Sequence, residues 1–182
     1  MNNMERRVFG PVPSRRLGKS LGVNNIPHKI CTYSCIYCQI GKAVKMQTER
    51  QEFYKSDELV DEVKDVLGNI QINNEYPDYI PIVTDGEPTL DSNLGILIKE
   101  LKGLNLPVAV ITNASLIQFP DVQEDLLQAD YISVKADTFN AELWHKTNGS
   151  KKMLASLMEE KLIEKLQYSG HFYYIRKFRK RP

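Results

Sequence analysis

An α/β fold built on a parallel sheet is what this sequence predicts, on two observations. Short runs rich in β-branched residues recur along the chain, and segments with helical spacing of apolar residues stand between them. Strand, helix and strand in alternation form the unit of a parallel sheet with right-handed crossovers. An open sheet and a closed βα barrel both satisfy that pattern. The chain has 182 residues, 42% of them hydrophobic, enough for one core and one domain.

Taken in order, the segment Phe9–Asn24 (F-G-P-V-P-S-R-R-L-G-K-S-L-G-V-N) is rich in Gly, Pro and Arg, which predicts an irregular lead-in and not a helix. A first helix begins at Ser56, followed by Asp57 and Glu58, which favour a helix N-terminus. Its apolar stripe is Leu59, Val63, Val66, Leu67 and Ile70, and it should end within Gly68–Asn74. Tyr79–Thr84 (Y-I-P-I-V-T) reads as a strand covered on both faces. Asp91 is placed to cap a second helix with the stripe Leu94, Leu97, Ile98 and Leu101, and Gly103 stands where a left-handed C-cap is favoured. A strand at Pro107–Thr112, a short helix near Val122–Gln128 and a strand at Tyr131–Lys135 follow. Leu154, Leu157, Met158 and Leu162 mark a fourth helix over Met153–Leu166, and Phe172–Phe178 can open a fifth strand.

Charge is unevenly distributed. The net charge is +1, but residues 1–150 carry 15 basic against 20 acidic side chains, net −5, and residues 151–182 carry 9 against 3, net +6. The closing run H-F-Y-Y-I-R-K-F-R-K-R-P interleaves aromatics with cations, a composition suited either to stacking on nucleic acid or to a solvated terminus. No apolar run approaches the length of a membrane span, and no secretory signal opens the chain. The expectation is therefore an intracellular, cytoplasmic protein with no membrane partner.

Chemistry concentrates in C-T-Y-S-C-I-Y-C, whose Cys31, Cys35 and Cys38 are the only cysteines in the chain. Three thiolates from eight residues can surround one centre and leave a metal position unfilled by sulfur. A closed zinc site is an alternative, with His28 as the fourth ligand. Disulfides would leave one thiol over, and inert buried thiols need no such clustering.

The C-x-x-x-C-x-x-C run resembles the cluster loop of the radical S-adenosylmethionine (radical SAM) superfamily. In that family three cysteines hold three irons of a 4Fe-4S cluster, and SAM chelates the fourth. The resemblance implies a partial parallel (β/α) barrel with the loop after the first strand, here within Lys19–Asn25. Functional residues then belong at the C-terminal ends of the strands. Asp85-Gly86-Glu87-Pro88 resembles the Gly-Gly-Glu-Pro signature that meets the SAM amine through main-chain carbonyls, with Asp85 in place of the first glycine; without the resemblance it is an ordinary turn. By the same resemblance Tyr37, just before the last cysteine, would offer its ring to the adenine. Asn113 and Ser133 would hold the ribose or methionine portion, and Asp137 would face the substrate. Lys135 has no clear place, because a cation beside a bound sulfonium is unfavourable unless it pairs with the SAM carboxylate or with Asp137. Together with the lead-in, the loop is similar to the subgroup often called Fe-S oxidoreductases, related to the radical SAM domain of the tRNA wyosine-synthesis enzymes. The likeness covers about residues 8–150. Arg15 and Arg16 could grip an anionic group of a substrate or make surface ion pairs.

What the resemblance implies is reductive cleavage of SAM to methionine and a 5′-deoxyadenosyl radical that abstracts hydrogen from a substrate, the electron coming from reduced flavodoxin or ferredoxin. A tRNA is one candidate substrate; a small molecule and a protein glycyl site are others. Residues 1–168 form the expected partial barrel, with its cluster loop at 31–38, and 169–182 a basic aromatic tail or the start of a fifth strand. Related barrels continue through further units, so the barrel expected here is incomplete at its C-terminus: truncated, frameshifted near the basic end, or completed by self-association or by a partner. The competing reading is a truncated, non-catalytic iron-sulfur-binding remnant, or a zinc-binding module.

Overall fold

The structure is a computed structural model and describes residues 7–71, 76–135 and 141–149, together with the strand at 172–173. Its main sheet has six strands in the order β1-β2-β5-β6-β7-β8. β1 (Val8–Ser14) and β2 (Gly18–Val23) are antiparallel. From β2 onward the pairing is parallel, through β5 (Ile80–Ile82), β6 (Val108–Thr112), β7 (Tyr131–Val134) and β8 (Phe172–Tyr173). A small parallel pair, β3 (Ile30–Cys31) with β4 (Lys45–Met46), stands apart and carries the first cysteine. The fold is thus α/β with a mostly parallel sheet.

The lead-in departs from expectation. Phe9–Ser14 is not irregular but belongs to β1, with a register shift between Phe9 and Val12 and a cis bond at Gly10–Pro11. A proline can occupy an edge strand because its missing N–H faces away from the ladder. The composition looked like loop because an edge strand with a bulge tolerates those same residues.

Helices α1 (Ser56–Gln71), α2 (Leu94–Lys102) and α3 (Pro120–Leu126) connect the parallel strands. The stripes read from the sequence are the packed faces: Leu59, Val63, Leu67 and Ile70 of α1 and Leu94, Leu97, Ile98 and Leu101 of α2 are buried, with Val66 packed against the same core. They close over Ile80, Ile82, Val108 and Val110, which are fully buried, as central parallel strands require.

Both ends of α2 differ from expectation. Asn93 is the residue before the helix, and Asp91 stands outside it, accepting the Asn93 amide at 3.0 Å. Gly103 is right-handed, with φ −60°, and the left-handed residue is Asn105, at φ 60°. Asparagine tolerates that region better than most side chains, so the turn two residues later takes the strain that the glycine was expected to absorb.

Helix α4 (Ala141–Asn148) follows β7. It has no regular apolar stripe, and Leu143 is half exposed, so periodicity did not mark it. The helix expected over Met153–Leu166 lies outside the described residues, as does Asp137. Among the described residues no helix is long and apolar enough to cross a membrane.

Candidate functional site

The cysteine run leaves the main sheet at the C-terminal end of β2, the end at which the turns after β5, β6 and β7 also lie. Residues 38–47 fold back over it. The Gly41 amide donates to the Cys38 carbonyl at 3.0 Å, Val44 to Lys29 at 3.0 Å and Gln47 to Cys31 at 3.2 Å, while Ser34 Oγ accepts the Ala43 amide at 3.1 Å. All three cysteines are half-buried and none is in a disulfide.

Each of the first two sulfurs meets an asparagine. Asn113 Nδ2, at the end of β6, donates to Thr32 Oγ1 at 2.9 Å and reaches Cys31 Sγ at 3.7 Å. Ser115 Oγ donates to the same threonine at 2.7 Å. Cys35 Sγ donates to Asn148 Oδ1 at 3.1 Å, and Tyr37 Oη to the same oxygen at 3.1 Å. Burial, with the Glu87 carboxylate second, pushes the Cys31 thiol up to about 11. A metal would have to displace that proton to bind.

The turn after β5 is fastened to the cysteine run. Lys29 N donates to the Asp85 carbonyl at 2.9 Å and Glu87 N to the Ile30 carbonyl at 3.3 Å. The Asp85 carboxylate lies 3.1 Å from His28 Nδ1, so the side chain that replaces a glycine is turned toward His28. The carbonyls of Asp85, Glu87 and Pro88 all accept protein donors, respectively Lys29 N, Leu90 N and both Asp91 N and Asn25 Nδ2. Among the described residues the Gly86 carbonyl takes none.

Glu87 is buried, and its carboxylate faces the strand ends. It accepts from Thr89 N at 3.2 Å, Thr89 Oγ1 at 2.6 Å, Thr112 Oγ1 at 2.5 Å and Asn113 N at 2.8 Å. Burial raises its pKa above the usual carboxylate range, opposed by those hydrogen bonds, Thr112 first. Asn113 is thereby held on both sides, by Glu87 at its main chain and by Thr32 at its side chain. Below this turn Arg50 donates to the carbonyls of Thr89 at 3.0 Å and Asp91 at 2.8 Å and pairs with Asp121 and Asp125 of α3.

Of the other residues singled out from sequence, Tyr37 lies beneath Lys135, whose ammonium stands 3.9 Å from the ring centroid. A cation that had no clear place in the sequence thus covers one face of that ring. Ser133 is buried on β7. Arg15 and Arg16 sit in the turn between β1 and β2, before Gly18, at the opposite end of the parallel strands from the cysteine run. Asn148, Thr32 and Arg50 were not marked by the sequence. Only the Asn that closes α4, just before Gly149, carried a signal, as an ordinary helix-end pair.

The donor set fits an iron-sulfur cluster in kind: three thiols on one loop, with amide groups beside two of them. Among the described residues no three His, Cys, Asp or Glu side chains gather around a single metal ion. A mononuclear zinc site would need four donors about one point; the His28 contact with Asp85 uses Nδ1 and leaves Nε2 open. A cluster instead spreads its thiolates over separate irons.

Comparison with known proteins gives the family. The family model of the radical SAM superfamily matches residues 25–166, and the chain belongs to that superfamily, whose members carry out SAM-dependent radical chemistry with an iron-sulfur cluster. A UPF0026 protein of Methanocaldococcus jannaschii is 43% identical over 165 residues, covering 90% of this chain and 51% of its own length. The chain therefore spans about half the length of that relative. Among solved structures, TYW1 with a lysine-pyruvate adduct bound is similar at TM-score 0.59 and 17% identity, over 89% of this chain and 56% of that one. Streptococcus suis SuiB bound to S-adenosylmethionine follows at 0.58 and 19%, over 86% and 33%. At such identities the likeness is one of fold.

Proposed function

We propose that this chain holds a 4Fe-4S cluster through Cys31, Cys35 and Cys38 and binds SAM across the turns after β5, β6 and β7, as a radical SAM enzyme that abstracts hydrogen from its substrate. The observation that carries this is the placement of the three thiols at the same end of the sheet as the Asp85–Pro88 and Thr112–Ser115 turns, fastened to both by hydrogen bonds. When bound, the cluster supplies the electron that cleaves SAM to methionine and a 5′-deoxyadenosyl radical.

The chain's own residues bind and orient. Gly86 offers its carbonyl to the methionyl amine, because its neighbours' carbonyls are already taken. Glu87 serves from within, its buried carboxylate holding the Asn113 main chain where the amide side chain reaches the first cysteine. The Tyr37 ring and Ser133 complete the SAM contacts, Asp137 serves the substrate side, and Lys135 over Tyr37 brings positive charge to the SAM carboxylate. A reduced flavodoxin or ferredoxin is the electron donor. A thiolate centre with such a donor belongs in the reducing cytoplasm. The substrate class we favour is tRNA, on the likeness of the cysteine run and lead-in to the wyosine-synthesis enzymes. A small molecule is the other reading.

The deciding experiment is anaerobic reconstitution with iron and sulfide, followed by EPR of the dithionite-reduced protein with and without SAM. A reduced-cluster signal that SAM perturbs, with methionine and 5′-deoxyadenosine released, supports the proposal. No cluster, or one indifferent to SAM, overturns it in favour of a non-catalytic iron-sulfur or zinc-binding module. Binding of tRNA that weakens steeply with salt would support that substrate class, because phosphate contacts release counterions.

A further inference from the structure

The last turn of α4 grips the middle of the cysteine run at several points. The carbonyl of Asn148 accepts the Ser34 amide at 3.0 Å, and that of Thr147 the Ile36 amide at 2.9 Å, so the main chain on both sides of Cys35 ends on this helix. Trp144 meets Tyr33 edge to face, with ring centroids 4.9 Å apart. Gly149 closes the turn at φ +65°, and a Cβ there would stand 2.8 Å from the Ser34 carbonyl oxygen. At the centre the Asn148 side chain is buried, 2% exposed. Its Oδ1 is shared by Cys35 Sγ and Tyr37 Oη, and its Nδ2 returns to the Trp144 carbonyl at 3.2 Å. One amide therefore joins the second cysteine, the aromatic beside the third, and the helix that follows β7.

We infer that Asn148 is a positioning residue for Cys35 and that its amide sets the polarity around that sulfur, and with it the reduction potential of a cluster bound there. The inference rests on the proposed function. Hydrogen bonds to ligand sulfurs are among the factors that set the potential of such centres, and residues just behind the ligands orient them. A metal-bound sulfur accepts and does not donate, so beside a bound cluster the amide turns over, its two ends having nearly the same shape, and gives up its Nδ2 bond to the Trp144 carbonyl for one to the sulfur. An N–H directed at sulfur favours the form carrying the extra electron. Removing it moves the potential in the negative direction and makes the centre harder to reduce.

The test is a potentiometric EPR titration of reconstituted wild type, Asn148→Leu and Asn148→Asp. The midpoint is read on whatever fraction of each protein is loaded, and iron content and circular dichroism are measured alongside. Leucine keeps the bulk and removes the hydrogen bonds; aspartate keeps the shape and substitutes a negative charge. The expected result is a midpoint more negative than wild type in Asn148→Leu and more negative again in Asn148→Asp, with changed g-values. Should the leucine variant fail to fold, the near-isosteric aspartate decides alone. Midpoints and g-values equal to wild type would overturn the inference and leave Asn148 as a helix end. A wild type with a SAM-responsive cluster and unshifted variants overturns this inference only, whereas a wild type that takes up no cluster overturns the proposed function beneath it.

Discussion

A Cβ placed on Gly86 would stand 1.9 Å from the carbonyl oxygen of Ile30, closer than any side chain can approach. The turn after β5 and the strand that delivers Cys31 are thus in main-chain contact, and the Glu87 amide donates to the same carbonyl. By the resemblance, this glycine belongs to a turn that meets SAM. In the fold its bare α-carbon first admits the neighbouring strand.

Gly86→Ala should therefore disturb the first cysteine before any question of SAM arises. Overpacking of this kind costs about 1–3 kcal/mol, or roughly 2–4 °C of melting temperature per kcal/mol for a chain of this size. Thermal denaturation should show the loss, and iron taken up per chain on reconstitution should fall with it. A variant that melts and loads like wild type would contradict the contact.

Removing the Glu87 carboxylate should cost more than a surface change. Glu87→Ala leaves two hydroxyls and two main-chain amides without their acceptor, for an expected loss of more than about 3 kcal/mol. Glu87→Gln keeps one acceptor oxygen but sets an NH2 against donors, so its loss should be smaller. Urea unfolding of both variants would order them, and equal midpoints would argue against the network.

Asp91 ties Asn25 and Asn93 to the end of the same turn, and burial pushes its carboxyl up to about 6 from the ordinary 3.8. A raised pKa means that the folded protein holds the proton more tightly than the unfolded chain. Its contribution to stability is then complete below about pH 4 and lost as pH rises through about 6. Asp91→Asn should flatten the pH dependence of the melting temperature across that interval. A variant whose profile still falls as steeply as wild type would place the effect on another group.

Arg15 and Arg16 lie at the far end of the parallel strands from the cysteine run. Double replacement by alanine should leave SAM cleavage under dithionite unchanged, measured as 5′-deoxyadenosine formed. A fall in that rate with cluster content intact would mean that the two arginines reach the site by a route absent from this fold.

Much of the fold was legible because its signals are local. The runs at Ile80–Ile82 and Val108–Thr112, buried but for Ile111, carry β-branched residues, and the stripes of α1 and α2 have helical spacing, so neighbours in sequence announced which face would be covered. The hairpin of β1 with β2 was not legible, since its glycines and prolines suit a loop and an edge strand alike. Helix α4 escaped because docking, and not an apolar stripe, accounts for its position.

The sequence by itself determined the chemistry available: three thiols at a spacing that one loop can wrap around a centre, and polar residues just past apolar strands. Tertiary structure alone decided how those residues are used. It turned Asp85 toward His28, buried Glu87 among four donors, laid Lys135 over Tyr37, and brought Asn148 onto Cys35 across 113 residues of chain. Local patterns fix which faces a segment must bury, but a hydrogen bond between distant residues depends on how strands and helices pack. No spacing rule along the chain encodes that distance.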